Sequence, residues 1–229
     1  MLLHLDSLYL QDEGGRLIGR NQPGGAALSP PRFHLGRTAH GNLWRFAADV
    51  AAETVIELAR LAAAERSSRP LVDGPERIEP MRRCLEAAAP IEVAYHGPAF
   101  RFPELGALPP SDGLIRVTPE RAELLERHFS SYLPTFPHEA PYVVAVEEGA
   151  AVTICHSARS SDVAAQAGVE TAPGWRRRGM AGPVVAGWAR DVADSGRIPL
   201  YSTWWENAAS RAVAGRLGLI PFGADLHFR

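Results

Sequence analysis

The run Pro173-Gly174-Trp175-Arg176-Arg177-Arg178-Gly179-Met180-Ala181 places three guanidinium groups and a glycine ahead of a stretch patterned as a helix. That helix is marked by Val184, Trp188 and Val192 at i, i+4 and i+8, with Pro183 tolerated in the first turn and Gly196 just past the end. A turn that opens a helix presents unpaired backbone N–H groups and the positive end of the macrodipole, so the chemistry it suits is anion binding. Arg176, Arg177 and Arg178 add charge beside those donors, and Gly179 lets the backbone approach a ligand. Hydrogen bonds to a charged group are worth roughly 1.5–3 kcal/mol each, so a few donors suffice for a pyrophosphate. The competing reading of the same run is a solvated cationic turn.

Neighbouring chemistries fall away on residue type. A dinucleotide loop needs GxGxxG, and the chain offers only Gly179-Met180-Ala181-Gly182. All 24 basic residues are arginine, which removes the phosphate-loop lysine of the Walker type. It also removes Schiff-base chemistry, and with it pyridoxal phosphate enzymes and class I aldolases. Cys155 and His156 are adjacent on an expected strand, point to opposite faces, and so form no nucleophile–base pair with each other. His34, His40, His96, His128 and His138 show no HExxH or paired ligand spacing, so no metal site is expected. Cys84 and Cys155 lie far apart with no CxxC, as for two reduced thiols, the alternative reading being a lone structural disulfide. Trp44 and Trp188 read as core. Trp204 and Trp205 either wall a pocket or divide between core and a partner surface.

The elements that must position the loop follow from periodicity. A strand over Val163 to Thr171 precedes it. Downstream comes a strand over Ile198 to Thr203, then Asn207 capping a helix with Ala209, Val213 and Leu217 on its apolar face and Gly218 at its end. Further upstream, Leu114-Ile115-Arg116-Val117 reads as a strand, with Thr118 as N-cap and Pro119 opening a helix. Tyr142 to Val146 and Ala151 to Ser157 form a hairpin around Glu147-Glu148-Gly149. In the first part of the chain, residues 2–10 alternate like a strand and turn at Asp12-Glu13-Gly14-Gly15 into Arg16-Leu17-Ile18-Gly19. Gln22-Pro23-Gly24-Gly25 through Ser29-Pro30-Pro31 is a loop by composition. Arg32 to Arg37 and Leu43 to Phe46 read as strands. Ala51 to Glu65 reads as a helix, and Met81 to Ala88 as a second one after a polar stretch holding Ser67, Ser68, Pro70, Gly74, Pro75 and Pro80.

Residues 1–88 are therefore expected to form a small α+β unit. Residues 89–111, rich in proline and aromatics, read as a linker packed on the surface, and 112–229 as a second unit. Net charge of −2 argues against a nucleic-acid or anionic-membrane partner. The N-terminal residues do not read as a signal peptide, and no apolar stretch is long enough to span a membrane, so a cytoplasmic location is expected.

Taken together, the loop and the asparagine helix resemble the GNAT superfamily of acyl-CoA-dependent N-acyltransferases. Arg176-x-x-Gly179-x-Ala181 is similar to that family's Q/R-x-x-G-x-G/A loop, and Asn207 through Leu217-Gly218-Leu219 to its following N-x-x-A/S helix. The resemblance covers about residues 112–229. It implies an α+β fold with a mixed, splayed central sheet flanked by helices, and acetyl-CoA as acyl donor without a metal.

By that resemblance, the pyrophosphate sits on the backbone of Arg177, Arg178, Gly179, Met180 and Ala181 with Arg176 nearby. The pantetheine pairs like an added strand with Val169 and Thr171. Asn207 approaches the pantetheine or a bound water, with Ser210 one turn further. Glu170 is the candidate base, although alternation puts it on the face opposite Val169 and Thr171 and the sequence leaves open which face lines the cleft. Many members carry a tyrosine seven residues after the asparagine to protonate the leaving thiolate. Ala214 stands there in this chain, which turns attention to Tyr201, Ser210 or water as proton donor.

The activity implied is transfer of an acetyl group to a small-molecule or peptide primary amine, with a homodimer as a possible assembly. The alternatives are an acyl-CoA-binding module without turnover, whose N-terminal half recognises a partner, and a fused pair of degenerate GNAT-like units.

Overall fold

A computed structural model describes residues 1–24, 28–67 and 71–229. In chain order the elements are α1 (Leu2–Leu8), β1 (Tyr9–Gln11), β2 (Leu17–Arg20), β3 (Phe33–Thr38), β4 (Gly41–Phe46), α2 (Ala52–Ala63), α3 (Ile78–Glu86), β5 (Ala94–Arg101) and β6 (Ile115–Arg116). Then follow α4 (Glu126–Phe129), β7 (Val143–Glu147), β8 (Ala150–Ser160), β9 (Ala164–Thr171), α5 (Ala181–Asp194), β10 (Ile198–Ser202), α6 (Ala208–Arg216) and β11 (Ile220–Phe228). Gly25 of the expected Gln22–Pro31 loop, and Ser68 and Pro70 of the polar stretch, lie outside the described residues.

Nine strands form one open mixed sheet in the order β4-β3-β11-β5-β10-β9-β8-β7-β6, and β1 with β2 forms a separate hairpin. Every neighbouring pair is antiparallel except β9 with β10. The sheet runs across the boundary expected between residues 88 and 112, because β11 pairs with β3 on one side and β5 on the other. The surface linker expected over residues 89–111 is corrected: Ala94–Arg101 is an interior strand between β10 and β11. Its Pro98 is tolerated because its carbonyl points towards β10 and accepts from Thr203 N–H at 3.2 Å. The missing N–H then faces the same way and no bond to β11 is lost. Gly97 lets Thr203 close in, since a Cβ there would stand 1.8 Å from the Thr203 carbonyl oxygen.

The strand expected over residues 2–10 is also corrected, being helix α1 followed by β1. Hydrophobicity misleads here because the helix turns polar residues inward. His4 and Ser7 are buried in hydrogen bonds while Leu2 and Leu3 are exposed. Thr118 precedes a 3-10 helix, Pro119–Leu125, and makes no side-chain cap bond, so only Pro119 at its start follows expectation.

Strand partners share a face, which sorts the layers. One face carries Cys155, Val169, Phe100 and Tyr201, packed with Val184, Val185, Trp188 and Val192 of α5 and Val213 and Ala214 of α6. Phe33, Leu35, Leu226 and Phe228 continue that layer against Leu58, Leu61, Met81 and Leu85 of α2 and α3. Burying each such side chain stabilises by roughly 1.5–3 kcal/mol. The opposite face carries Gln166, Gly168, Glu170, Tyr95, Asp225 and His227, and is covered by α1, the β1–β2 hairpin and the segment through α4. No helix among the described residues is long and apolar enough to cross a membrane.

Candidate functional site

β9 and β10 pair in parallel only at Ile198 with Ala164, Pro199 with Ala165 and Leu200 with Gln166. Beyond that point β10 stays with β5 and β9 stays with β8, so the sheet splits along Ala167–Thr171. The direction of the peptide groups there follows from two bonds. Ala172 N–H donates to the Val152 carbonyl on the β8 side at 2.9 Å. Arg176 Nε donates to the Thr171 carbonyl at 3.1 Å from the other side. By alternation the peptide groups of Val169 and Thr171 face the split.

At the mouth of the split lies the basic turn. Pro173–Trp175 is a short 3-10 helix, Arg177 and Gly179 take positive φ of 64° and 79°, and α5 begins at Ala181. Two left-handed residues flanking Arg178 curl the backbone into a concave turn directly ahead of the first-turn N–H groups of α5. The Arg178 guanidinium stacks over Trp175, 4.4 Å from the ring centre. These are the features of an anion cradle, and its donors fit a pyrophosphate.

On the other lip stands α6. Asn207 Oδ1 accepts from Ser210 N–H at 3.0 Å, so its side-chain oxygen caps the helix and its amide nitrogen stays available. Tyr201, 1% exposed, places Oη 2.6 Å from Ser210 Oγ and 3.3 Å from the Ser210 carbonyl. Burial pushes its phenol up to about 12, so it holds its proton at neutral pH. Ala214 is buried beneath the same helix.

Every residue expected at the site lines one cavity of about 890 Å³: Val169, Glu170, Thr171, Arg176 through Ala181, Tyr201, Asn207 and Ser210. The split answers the question of face that alternation left open. Val169 packs towards the α5 layer, and Glu170, on the reverse face, reaches the same cavity and accepts from Tyr132 Oη at 2.9 Å. Thr171 Oγ1 is 3.3 Å from Thr153 Oγ1.

The cavity continues through the split to residues that sequence motifs did not single out: Tyr9, Arg20, Tyr95, Arg159, Asp225, His227 and Arg229. No local signal marks them, since they come from five separate elements and the residue after β11. Trp204 walls this part and meets Tyr95 edge-on at 4.7 Å, whereas Trp205 turns away to bond His96. Asp225, 2% exposed, contacts His4, while His4 Nδ1 lies 2.8 Å from Gln166 Nε2. Burial raises the Asp225 carboxyl, but His4, His34 and His227 outweigh that and hold it below the usual range. Burial lowers His34 to about 4 and His227 to about 3, so both are neutral at pH 7. Cys155 faces the α5 layer fully buried, its thiol pushed well above normal by burial, while His156 turns to Glu139 at 2.8 Å.

An open mixed sheet flanked by helices, split between two parallel strands beside a helix N-terminus, is the fold of the GCN5-related N-acetyltransferases, the GNAT fold. Among solved structures the chain is similar to a GNAT-family protein from Novosphingobium aromaticivorans DSM 12444, with a TM-score of 0.51 at 12% identity over 60% of this chain and 65% of that one. It is similar also to a GCN5-related N-acetyltransferase-like protein from Streptococcus suis 89/1591, with a TM-score of 0.50 at 14% identity over 87% and 85%. The chain thus spans just under two thirds of the Novosphingobium protein. At these identities the likeness establishes the fold. No protein-family model and no curated protein matches the sequence.

Proposed function

We propose that this chain is an N-acetyltransferase, moving an acetyl group from acetyl-CoA to a primary amine by direct attack in a ternary complex. The observation that carries the reading is the continuity of the cavity through the split between β9 and β10. An anion cradle lies on one side of the sheet and a polar pocket on the other, so two substrates entering from opposite faces meet at the gap.

In this reading the α5 cradle from Arg177 to Ala181 holds the pyrophosphate, and the open edge of β9 at Val169 and Thr171 pairs with the pantetheine. A backbone N–H on that edge polarises the thioester carbonyl as the oxyanion develops. The amine nitrogen attacks the carbonyl carbon, forming C–N. The C–S bond then breaks and the thiolate departs with its electron pair. Tyr201 gives the thiolate a proton, and Glu170 takes the proton lost by the amine, directly or through water. Asn207 contributes its free amide nitrogen and holds α6 so that Ser210 meets Tyr201.

The test is calorimetric titration of acetyl-CoA and CoA into wild type and the double variant Arg176→Ala/Gly179→Glu, followed by thiol release with an amine panel. Binding by wild type and its loss in the double variant are expected. Binding without thiol release favours instead a non-catalytic acyl-CoA-binding module whose N-terminal half recognises a partner. Absence of binding to wild type overturns the acyl-donor assignment.

A further inference from the structure

We propose that the acceptor carries, besides its amine, an anionic group such as a carboxylate or phosphate, and that Arg20 and Arg159 bind it on the sheet face opposite α5. The inference rests on the acyltransfer reading above and names its second substrate by chemistry.

Three guanidinium groups reach the far part of the cavity from separate places in the chain: Arg20 at the end of β2, Arg159 in β8 and Arg229 after β11. Among the described residues, no carboxylate lies within 4.0 Å of any of them. Arg20 donates Nε to the Ser29 carbonyl at 2.9 Å and Arg159 donates one Nη to the Ala158 carbonyl, leaving further N–H groups on both forks.

The three groups also feel one another. Burial and then Arg20 lower Arg159 against the opposing pull of Glu139, and burial and then Arg229 lower Arg20. Like charges gathered without a directly paired counter-ion destabilise a fold, and an anionic ligand completes such a cluster through bidentate, charge-assisted bonds. Two acids on this side of the sheet have partners of their own, Asp225 in His4 and Glu139 in His156.

The anion is distinct from the phosphates of the acyl donor. The donor cradle has its own Arg176, Arg177 and Arg178 on the α5 side of the sheet. Arg159 pairs in register with Gln166, whose side chain contacts His4 and Ser7 of α1 on the reverse side.

Matched primary amines of one chain length, ending in a carboxylate, a phosphate or a neutral amide, test this in thiol release with acetyl-CoA. Wild type, Arg20→Gln, Arg159→Gln and Arg20→Lys are compared, each with a calorimetric titration of acetyl-CoA. An anionic amine is expected to exceed the amide in kcat/KM by about tenfold or more in wild type, as charge-assisted bonds require. That advantage should collapse through KM in either Gln variant and return in part in Arg20→Lys, with acetyl-CoA affinity unchanged. Whichever of the carboxylate and phosphate arms is preferred identifies the group. Equal kcat/KM for anionic and neutral amines in wild type overturns the inference while acyltransfer stands. Loss of acetyl-CoA binding in Arg20→Gln or Arg159→Gln also overturns it, because the arginine then serves the donor. If acetyl-CoA binds but no amine turns over, direct titration of the amines decides: selective binding of an anionic one upholds the pocket and its absence overturns it. Failure of wild type to bind acetyl-CoA overturns both readings together.

Discussion

Tyr201 Oη lies 2.6 Å from Ser210 Oγ, bringing two hydroxyls together where β10 meets α6. Ser210 precedes Ala214 by one helical turn, so a phenol reaches this lip of the split from the sheet rather than from the helix.

That relationship makes Tyr201→Phe the first variant to measure. With the phenol pushed up to about 12 it carries its proton at neutral pH, as the proposed donor must. The substitution is expected to lower kcat by about 10²-fold, within the range for general acid catalysis, and to leave acetyl-CoA affinity unchanged. Equal kcat in steady-state thiol release would remove Tyr201 from the proton path.

Asn207→Ala removes the acceptor for Ser210 N–H and with it the cap of α6. A stability loss of about 1 kcal/mol in urea unfolding is expected, largely restored by Asn207→Asp. Because the cap positions Ser210 beside Tyr201, the alanine variant should also lose turnover. The aspartate variant separates the two effects, as it caps the helix but lacks the amide nitrogen that the proposed function assigns to the acyl donor.

Gly179→Ala tests the turn. A Cβ there meets nothing within 4 Å, so the whole cost is the positive φ of 79°. About 1 kcal/mol of lost stability is expected, read as a lower Tm, together with weaker acetyl-CoA binding as the cradle relaxes.

The buried histidines set an acid limit on stability. His34 and His227 titrate near 4 and 3 in the folded chain against 6.5 unfolded, because burial disfavours their charged forms. Between those values the unfolded state binds more protons, so stability falls as pH drops from about 6.5 towards 4 and 3. Asp225 is held below 3.8, so its contribution is present above that value and disappears only at still lower pH. Thermal unfolding between pH 7 and 4 should show a falling Tm, with a shallower slope in His34→Gln.

Much of residues 112–229 was legible because its signals are local. The glycine and arginines before α5, the period of Val184, Trp188 and Val192, and Asn207 ahead of α6 each act within a few residues, and the same segments stand at the split. β5 was not legible, since a strand containing Pro98 is acceptable only where the missing N–H leaves the rest of the ladder intact. Register alone decides this, through Thr203. The helix α1 was hidden for the reverse reason: its inward residues, His4 and Ser7, are polar and take their partners from Asp225 and Gln166, more than 150 positions away.

The sequence by itself determined the basic turn ahead of α5 and the capped helix beside it, because helix starts and N-caps are short-range consequences of residue type. The tertiary structure alone decided that β9 and β10 part after Leu200 and Gln166, and that Arg20, Arg159, Asp225 and His227 share a cavity with the cradle. Strand pairing joins segments without regard to their distance along the chain. A pocket assembled across such pairings leaves no periodicity or spacing to read in any one of them.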